Sequence, residues 1–225
     1  MRPTPAAVRD ALRDVAGLGG FFVLPTVVGM AGKGTAAAFA DGFAERAREV
    51  NRRFATGEAR VGTSIAHLGL SARLWSPLLA CAVLHGIVPD LSGLEWLDDS
   101  SAVRLREPLE GRPVDPPPRL ADAVYEQLAA PLAVLERTLS VKVAPRLLDG
   151  NVASALVGSA AVLLRARPEV RPVLVPLTRD LLGTGRLAGT GTISGPDLTF
   201  RRRSCCLLYR APTGGMCGDC CFSGH

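Results

Sequence analysis

Lysine is almost missing from this chain: Lys33 and Lys142 are the only two in 225 residues. Arginine therefore carries nearly all the positive charge behind a net +5. Aromatic residues are also scarce, at 5%. No basic stripe interleaves with aromatics, so nothing points to nucleic-acid binding. The first residues, MRPTPAAVRDALRD, contain no continuous apolar stretch of the secretory kind, and the expectation is a cytoplasmic chain with reduced thiols. Long apolar runs are missing too. Val15–Gly32 is free of charge but broken by glycines and Pro25, and Leu74–Pro89 is short and carries His85. A spanning helix needs about 20 mostly apolar residues, so both stretches read as buried core. There is no internal repeat and no acid–base dyad or triad. The stretch Gly29–Thr35 is not a phosphate loop, because Gly34 rather than Ser or Thr follows Lys33.

What is present is apolar aliphatic content. At 48% hydrophobic residues with few rings, the core must be built on Leu, Val and Ala. Helical spacing of apolar residues predicts helices over Thr4–Ala16, Ala36–Phe54, Val61–Leu84, Leu120–Leu139 (kinked at Pro131), Leu147–Arg165 and Pro168–Leu182. Phe21–Val28 reads as a short strand or buried turn, Val103–Leu105 as a short strand, and Gly189–Arg203 as a hairpin turning at Ser194–Asp197. The fold class expected is mainly α, a helical core with a small β-hairpin leading into the C-terminal segment. The stiff Asp115–Pro118 connector divides the chain into 1–115 and 116–225, as two subdomains or as parts of one domain. Trp75 and Cys81 are expected in the core. His67 and His85 read as ordinary core histidines, and Asp149 or Asn151 as caps opening the fifth helix. The charge run of Ala36–Phe54 reads as a solvated face.

Five of the six cysteines lie in RRRSCCLLYRAPTGGMCGDCCF, residues 201–222. Clustered thiols in a reducing compartment point to metal or redox chemistry rather than disulfides. Cys217-Gly-Asp-Cys220 has the spacing of one zinc knuckle. The adjacent pair Cys205-Cys206 does not supply the second, since neighbours in extended chain point to opposite sides. A two-iron cluster with all-thiolate ligation suits this pattern better, with zinc as the second reading. Gly214, Gly215 and Gly218 allow tight turns that bring N–H groups to sulfur. Arg201, Arg202, Arg203 and Arg210 place positive charge beside it, which raises a cluster's reduction potential.

Arg202-Arg203-Ser204-Cys205-Cys206, Tyr209-Arg210, Pro212 and Cys217-Gly218-Asp219-Cys220 together resemble the C-terminal signature of the FhuF-type ferric-siderophore reductases, Cys-Cys-x10-Cys-x2-Cys. The resemblance is strong over the last 25 or so residues and does not reach the first 50. It implies a [2Fe–2S] cluster held by Cys205, Cys206, Cys217 and Cys220, and one-electron reduction of siderophore-bound iron(III) in the cytosol. Cys221 lies outside the pattern. The four arginines are candidates for docking a ferric siderophore or an acidic electron donor of ferredoxin or flavoprotein type. Peripheral contact with the inner membrane, where siderophores arrive, is a further expectation. The alternatives are an iron–sulfur carrier or redox sensor, and a zinc-stapled binding protein. Asn151 stands where the family has a Trp-x-Asn-like element, with Asp149 in place of the aromatic.

Overall fold

The computed structural model describes residues 2–28, 36–96, 103–114 and 119–222. The Gly29–Thr35 stretch and the Asp115–Pro118 connector lie outside them. Among the described residues there are six α-helices and a few small strands, so the mainly α expectation holds.

Helix α1 (Pro5–Ala16) starts where the sequence says it should. The Thr4 hydroxyl accepts the Ala7 N–H, Pro5 occupies the first turn, and Val8, Ala11, Leu12 and Val15 form the buried stripe. Strand β1 (Thr26–Val27) is only two residues long. Helix α2 (Ala36–Arg53) carries its expected solvated face, where Glu45 pairs with Arg48 and Glu49 with Arg52 one turn apart.

The centre of the molecule is α3 (Ala59–His85) packed along α5 (Pro145–Ala166). Both are long and apolar enough to cross a membrane by length and composition, but 67% and 72% of their most apolar windows are buried inside this fold. Trp75 is fully buried and its Nε1–H donates to the Val152 carbonyl at 3.0 Å. Gly86, in the left-handed region at φ 65°, ends α3. Cys81 is buried in the same core, where loss of water and nearby Asp14 push its thiol up to about 12.

Between α3 and α4 (Arg119–Arg137) the chain forms four short strands, of which the one expected at Val103–Leu105 is present and the other three were not revealed by periodicity. Strand β2 (Ile87–Pro89) pairs antiparallel with β5 (Gly111–Pro113). Strand β3 (Leu94–Trp96) pairs antiparallel with β4 (Val103–Arg106), and β4 pairs parallel with β1. Helix α4 continues through Pro131 to Arg137. Helix α6 (Arg171–Leu182) follows a single 3-10 turn at Pro168–Val170. One buried apolar cluster runs from Val8 through Leu78, Val124 and Leu156 to Phe200, so residues from both sides of the connector share a core.

The expected hairpin is present as β6 (Gly191–Ser194) and β7 (Thr199–Arg202), in register Gly191↔Arg202 and Ser194↔Thr199. Gly191 is required there: a Cβ would lie 2.3 Å from the Phe200 ring. The hairpin lies against α5 and delivers the chain into Cys205.

Candidate metal centre

Side chains alternate along β7, and that alternation sorts the arginines. Arg201 and Arg203 face solvent, whereas Arg202 points inward and is 1% exposed. Its guanidinium donates to Asn151 Oδ1 at 2.9 Å, to the Leu147 carbonyl at 3.3 Å and to the Ser204 carbonyl. Arg202 is therefore not a surface docking group, which corrects the sequence expectation for that residue. It is an internal brace between α5 and the start of the cysteine segment.

Asn151 completes the brace. Its amide donates to the Ser64 carbonyl at 2.9 Å, and Ser64 Oγ donates to the Cys206 carbonyl at 2.7 Å. The expectation that Asp149 or Asn151 caps the helix is also corrected: α5 begins at Pro145, so both lie inside it. Each residue of the Asp-Gly-Asn triplet has a separate task. Asp149 accepts from Arg186, which also pairs with Glu136 at 2.7 Å. Gly150 lets the cysteine segment approach, since a Cβ there would lie 2.1 Å from Ser204 Oγ and 2.8 Å from Arg202 Nη2. Asn151 reads both Arg202 and Ser64. Farther along α5, Ser154 Oγ donates to the Asp219 carboxylate, and the Arg202 N–H donates to the Asp219 carbonyl at 3.1 Å. These contacts fix the Cys217–Cys220 turn, which closes with the Cys220 N–H on the Cys217 carbonyl at 3.1 Å.

The segment then wraps. Leu207 takes a left-handed conformation (φ 70°), and a 3-10 turn runs over Leu208–Arg210. Gly214 passes close under it, where a Cβ would meet the Leu208 carbonyl at 2.2 Å. This brings Cys206 Sγ and Cys217 Sγ to 3.4 Å. Two thiolates on one tetrahedral metal, with metal–sulfur bonds of about 2.3 Å, would stand roughly 3.8 Å apart, so this separation suits shared ligation. Backbone N–H groups point at sulfur: Leu207 donates to Cys205 Sγ at 3.3 Å and Phe222 to Cys220 Sγ at 3.4 Å.

The hydrogen bond with Cys217 lowers the Cys206 thiol, helped by the Leu208 N–H and the Arg202 charge and opposed by burial. The same contact pushes Cys217 up, so Cys206 ionises first. Burial raises the Cys205 thiol; the Leu207 N–H opposes this, while Cys206, Cys221 and Cys220 push it further up. Cys206 and Cys220 are 3% exposed, whereas Cys205, Cys217 and Cys221 are half-buried. Among the described residues no group of three or more His, Cys, Asp and Glu side chains is already closed into a metal-binding arrangement. The sulfurs are gathered, with Cys206 and Cys217 in contact.

The histidines are elsewhere. His67 is buried on α3 with Nε2 2.9 Å from Glu136, and His85 pairs with Asp14 at 2.9 Å. Burial alone would raise the Glu136 carboxyl, but hydrogen bonds from His67 and Arg186 outweigh it and hold it below its ordinary range.

An all-sulfur donor set braced by a buried cation, with N–H groups aimed at sulfur, is one that an iron–sulfur cluster or a zinc ion can use. Residues 202–222 match the family model for the FhuF 2Fe-2S C-terminal domain, as the cysteine spacing led one to expect. The match indicates a [2Fe–2S] cluster at this segment. No curated protein and no solved structure matches the chain.

Proposed function

We propose that this protein is a cytoplasmic ferric-siderophore reductase. The observation that supports this most directly is the family match, which falls on the segment whose thiols the fold gathers. Cys205, Cys206, Cys217 and Cys220 would hold the cluster, which supplies one-electron transfer when bound. Siderophores hold iron(III) with hard oxygen donors, and iron(II) is held less well, so one-electron reduction releases the metal and leaves the ligand intact. No general acid or base is needed.

The chain's own residues have three tasks in this reading. Ser64, Asn151 and Arg202 set the position of Cys206 through its carbonyl and the neighbouring Ser204. Arg202 and the N–H groups of Leu207 and Phe222 place positive charge and dipoles beside sulfur, which raises the reduction potential. Arg201, Arg203 and Arg210 lie exposed beside the cysteines for an anionic partner, with Arg210 also paired to Glu58 at 2.7 Å.

Anaerobically purified protein should be red-brown, contain iron and acid-labile sulfide, and bleach with dithionite. The reduced protein, mixed with ferric hydroxamate or catecholate siderophores and an iron(II) chelator, should yield the iron(II) complex. A coloured protein that releases iron(II) from no siderophore class would leave an electron carrier or sensor instead. A colourless protein with stoichiometric zinc would overturn the cluster.

A further inference from the structure

A groove of about 310 Å³ opens between α3 and α5, with the 18–22 turn as its third wall. That volume is at the low end of the range for small-molecule pockets. Leu18, Phe21, Leu68, Ala155 and Val162 make it apolar, and Phe21 and Val162 remain 52% and 39% exposed. The serine hydroxyls of its lining are already engaged. Ser76 Oγ donates to Ser159 Oγ at 2.9 Å, Ser159 donates to the Ala72 carbonyl at 3.5 Å, and Ser154 donates to the Asp219 carboxylate. Walls of this kind fit an aliphatic chain, because they offer a polar group little in exchange for water.

Gly158 lines the same groove from the interior of α5. A Cβ built there meets no atom within 4 Å. Glycine weakens a helix interior relative to alanine, and no neighbour in this fold requires it at this position. What the missing side chain does preserve is the open groove.

Phe21 links the groove to charge. The Arg73 guanidinium stands over its ring, 5.6 Å from the centroid. Burial, and then the charge of Arg46 on α2, hold the Arg73 guanidinium below its ordinary range. Both arginines are half-buried, and among the described residues neither has an acidic partner. Two cations that repel each other and lack a counter-ion gain from an anion, and the planar guanidinium suits a carboxylate.

We propose that the groove between α3 and α5 binds a single-chain aliphatic carboxylate, its carboxylate on Arg73 and Arg46 and its chain lying past Phe21 toward Gly158. The site is separate from the cysteine segment's redox chemistry and does not depend on the reductase reading.

The test is calorimetric titration of the full chain with octanoate, decanoate and dodecanoate, each below its micelle-forming concentration, and with uncharged decan-1-ol. One carboxylate should bind per chain, with affinity rising about tenfold for each added pair of methylenes. Decan-1-ol should bind at least about tenfold more weakly than decanoate. Arg73→Gln should bring decanoate down to the level of the alcohol and leave the alcohol unchanged. Gly158→Leu should fill the groove and remove binding of both, with a urea midpoint equal to or above that of wild type. Equal affinity for acid and alcohol, or undiminished binding in Gly158→Leu, would overturn the proposal. So would a wild-type dimer in sedimentation that Gly158→Leu disperses, or attachment to phosphatidylglycerol vesicles without binding of the monomeric carboxylates. Neither iron(II) release nor cluster colour enters these measurements, so failure here leaves the reductase reading intact.

Discussion

Replacing Asn151 with Ala tests the brace behind the cysteines. Asn151 is fully buried and makes three contacts: its amide donates to the Ser64 carbonyl at 2.9 Å and to Ser64 Oγ at 3.2 Å, and its Oδ1 accepts from Arg202 at 2.9 Å. The truncation leaves a charged donor short of an acceptor, which costs about 1.5–3 kcal/mol for a hydrogen bond to a charged group. Loss of the amide bonds adds about 1 kcal/mol. Arg202 keeps the Leu147 and Ser204 carbonyls, which holds the total near 3–4 kcal/mol rather than the larger loss expected for a stranded buried charge. At a urea slope of about 2–3 kcal/mol/M this shifts the unfolding midpoint down by roughly 1–2 M. The same experiment on Arg202→Met and on the double variant isolates the pair, and a coupling of at least about 1 kcal/mol is expected. Cluster loading should fall with stability in Asn151→Ala, because Ser64 then loses the partner that orients it toward Cys206. A midpoint within about 0.3 M of wild type, or purely additive variants, would refute the idea that α5 braces the cysteine segment through this residue.

Three further outcomes follow from the same geometry. Cys206→Ser or Cys217→Ser should bleach the visible spectrum or leave the cluster labile, whereas Cys81→Ser should keep it; a changed spectrum in Cys221→Ser would reassign the four ligands. Gly150→Ala forces a methyl within 2.1 Å of Ser204 Oγ, so about 1–3 kcal/mol of stability should be lost, read as a lower urea midpoint together with weaker cluster retention. The Glu136 carboxyl is held below its ordinary value of 4.5, so its contribution is present above that pH and is lost as pH falls through the lowered value. Glu136→Gln should therefore flatten the acid limb of a stability–pH curve measured by urea unfolding, and an unchanged acid limb would show that the His67–Glu136–Arg186 group contributes nothing there.

How much of this was legible in the sequence depends on the range of the interaction that carries each feature. All six helices follow from local apolar spacing and agree with the structure to within a few residues at each end, because each buries a continuous stripe on a neighbour. The hairpin was readable because its turn chemistry, Ser194–Asp197, is local as well. Strands β2, β3 and β5 were not, because strands of three residues exist only through partners as distant as Gly111 from Pro89. The same distinction divides the site. The cysteine spacing is a local pattern and led to the segment that the family model matches. Its support spans 87 residues between Ser64 and Asn151 and 51 between Asn151 and Arg202, and no periodicity encodes such pairs. One signal was nonetheless present. Asp149-Gly-Asn151 interrupts an otherwise apolar helical run, and three weak helix formers in mid-helix need a tertiary reason. Reading them as a cap supplied a local reason where the cause was long-range. The arginines show the converse: four in one window look equivalent, yet the two-residue alternation of β7 buries Arg202 and exposes Arg201 and Arg203. Extending that alternation through the predicted hairpin would have placed Arg202 opposite its neighbours, and the polar triplet in the fifth helix supplies it with a buried acceptor in Asn151 Oδ1.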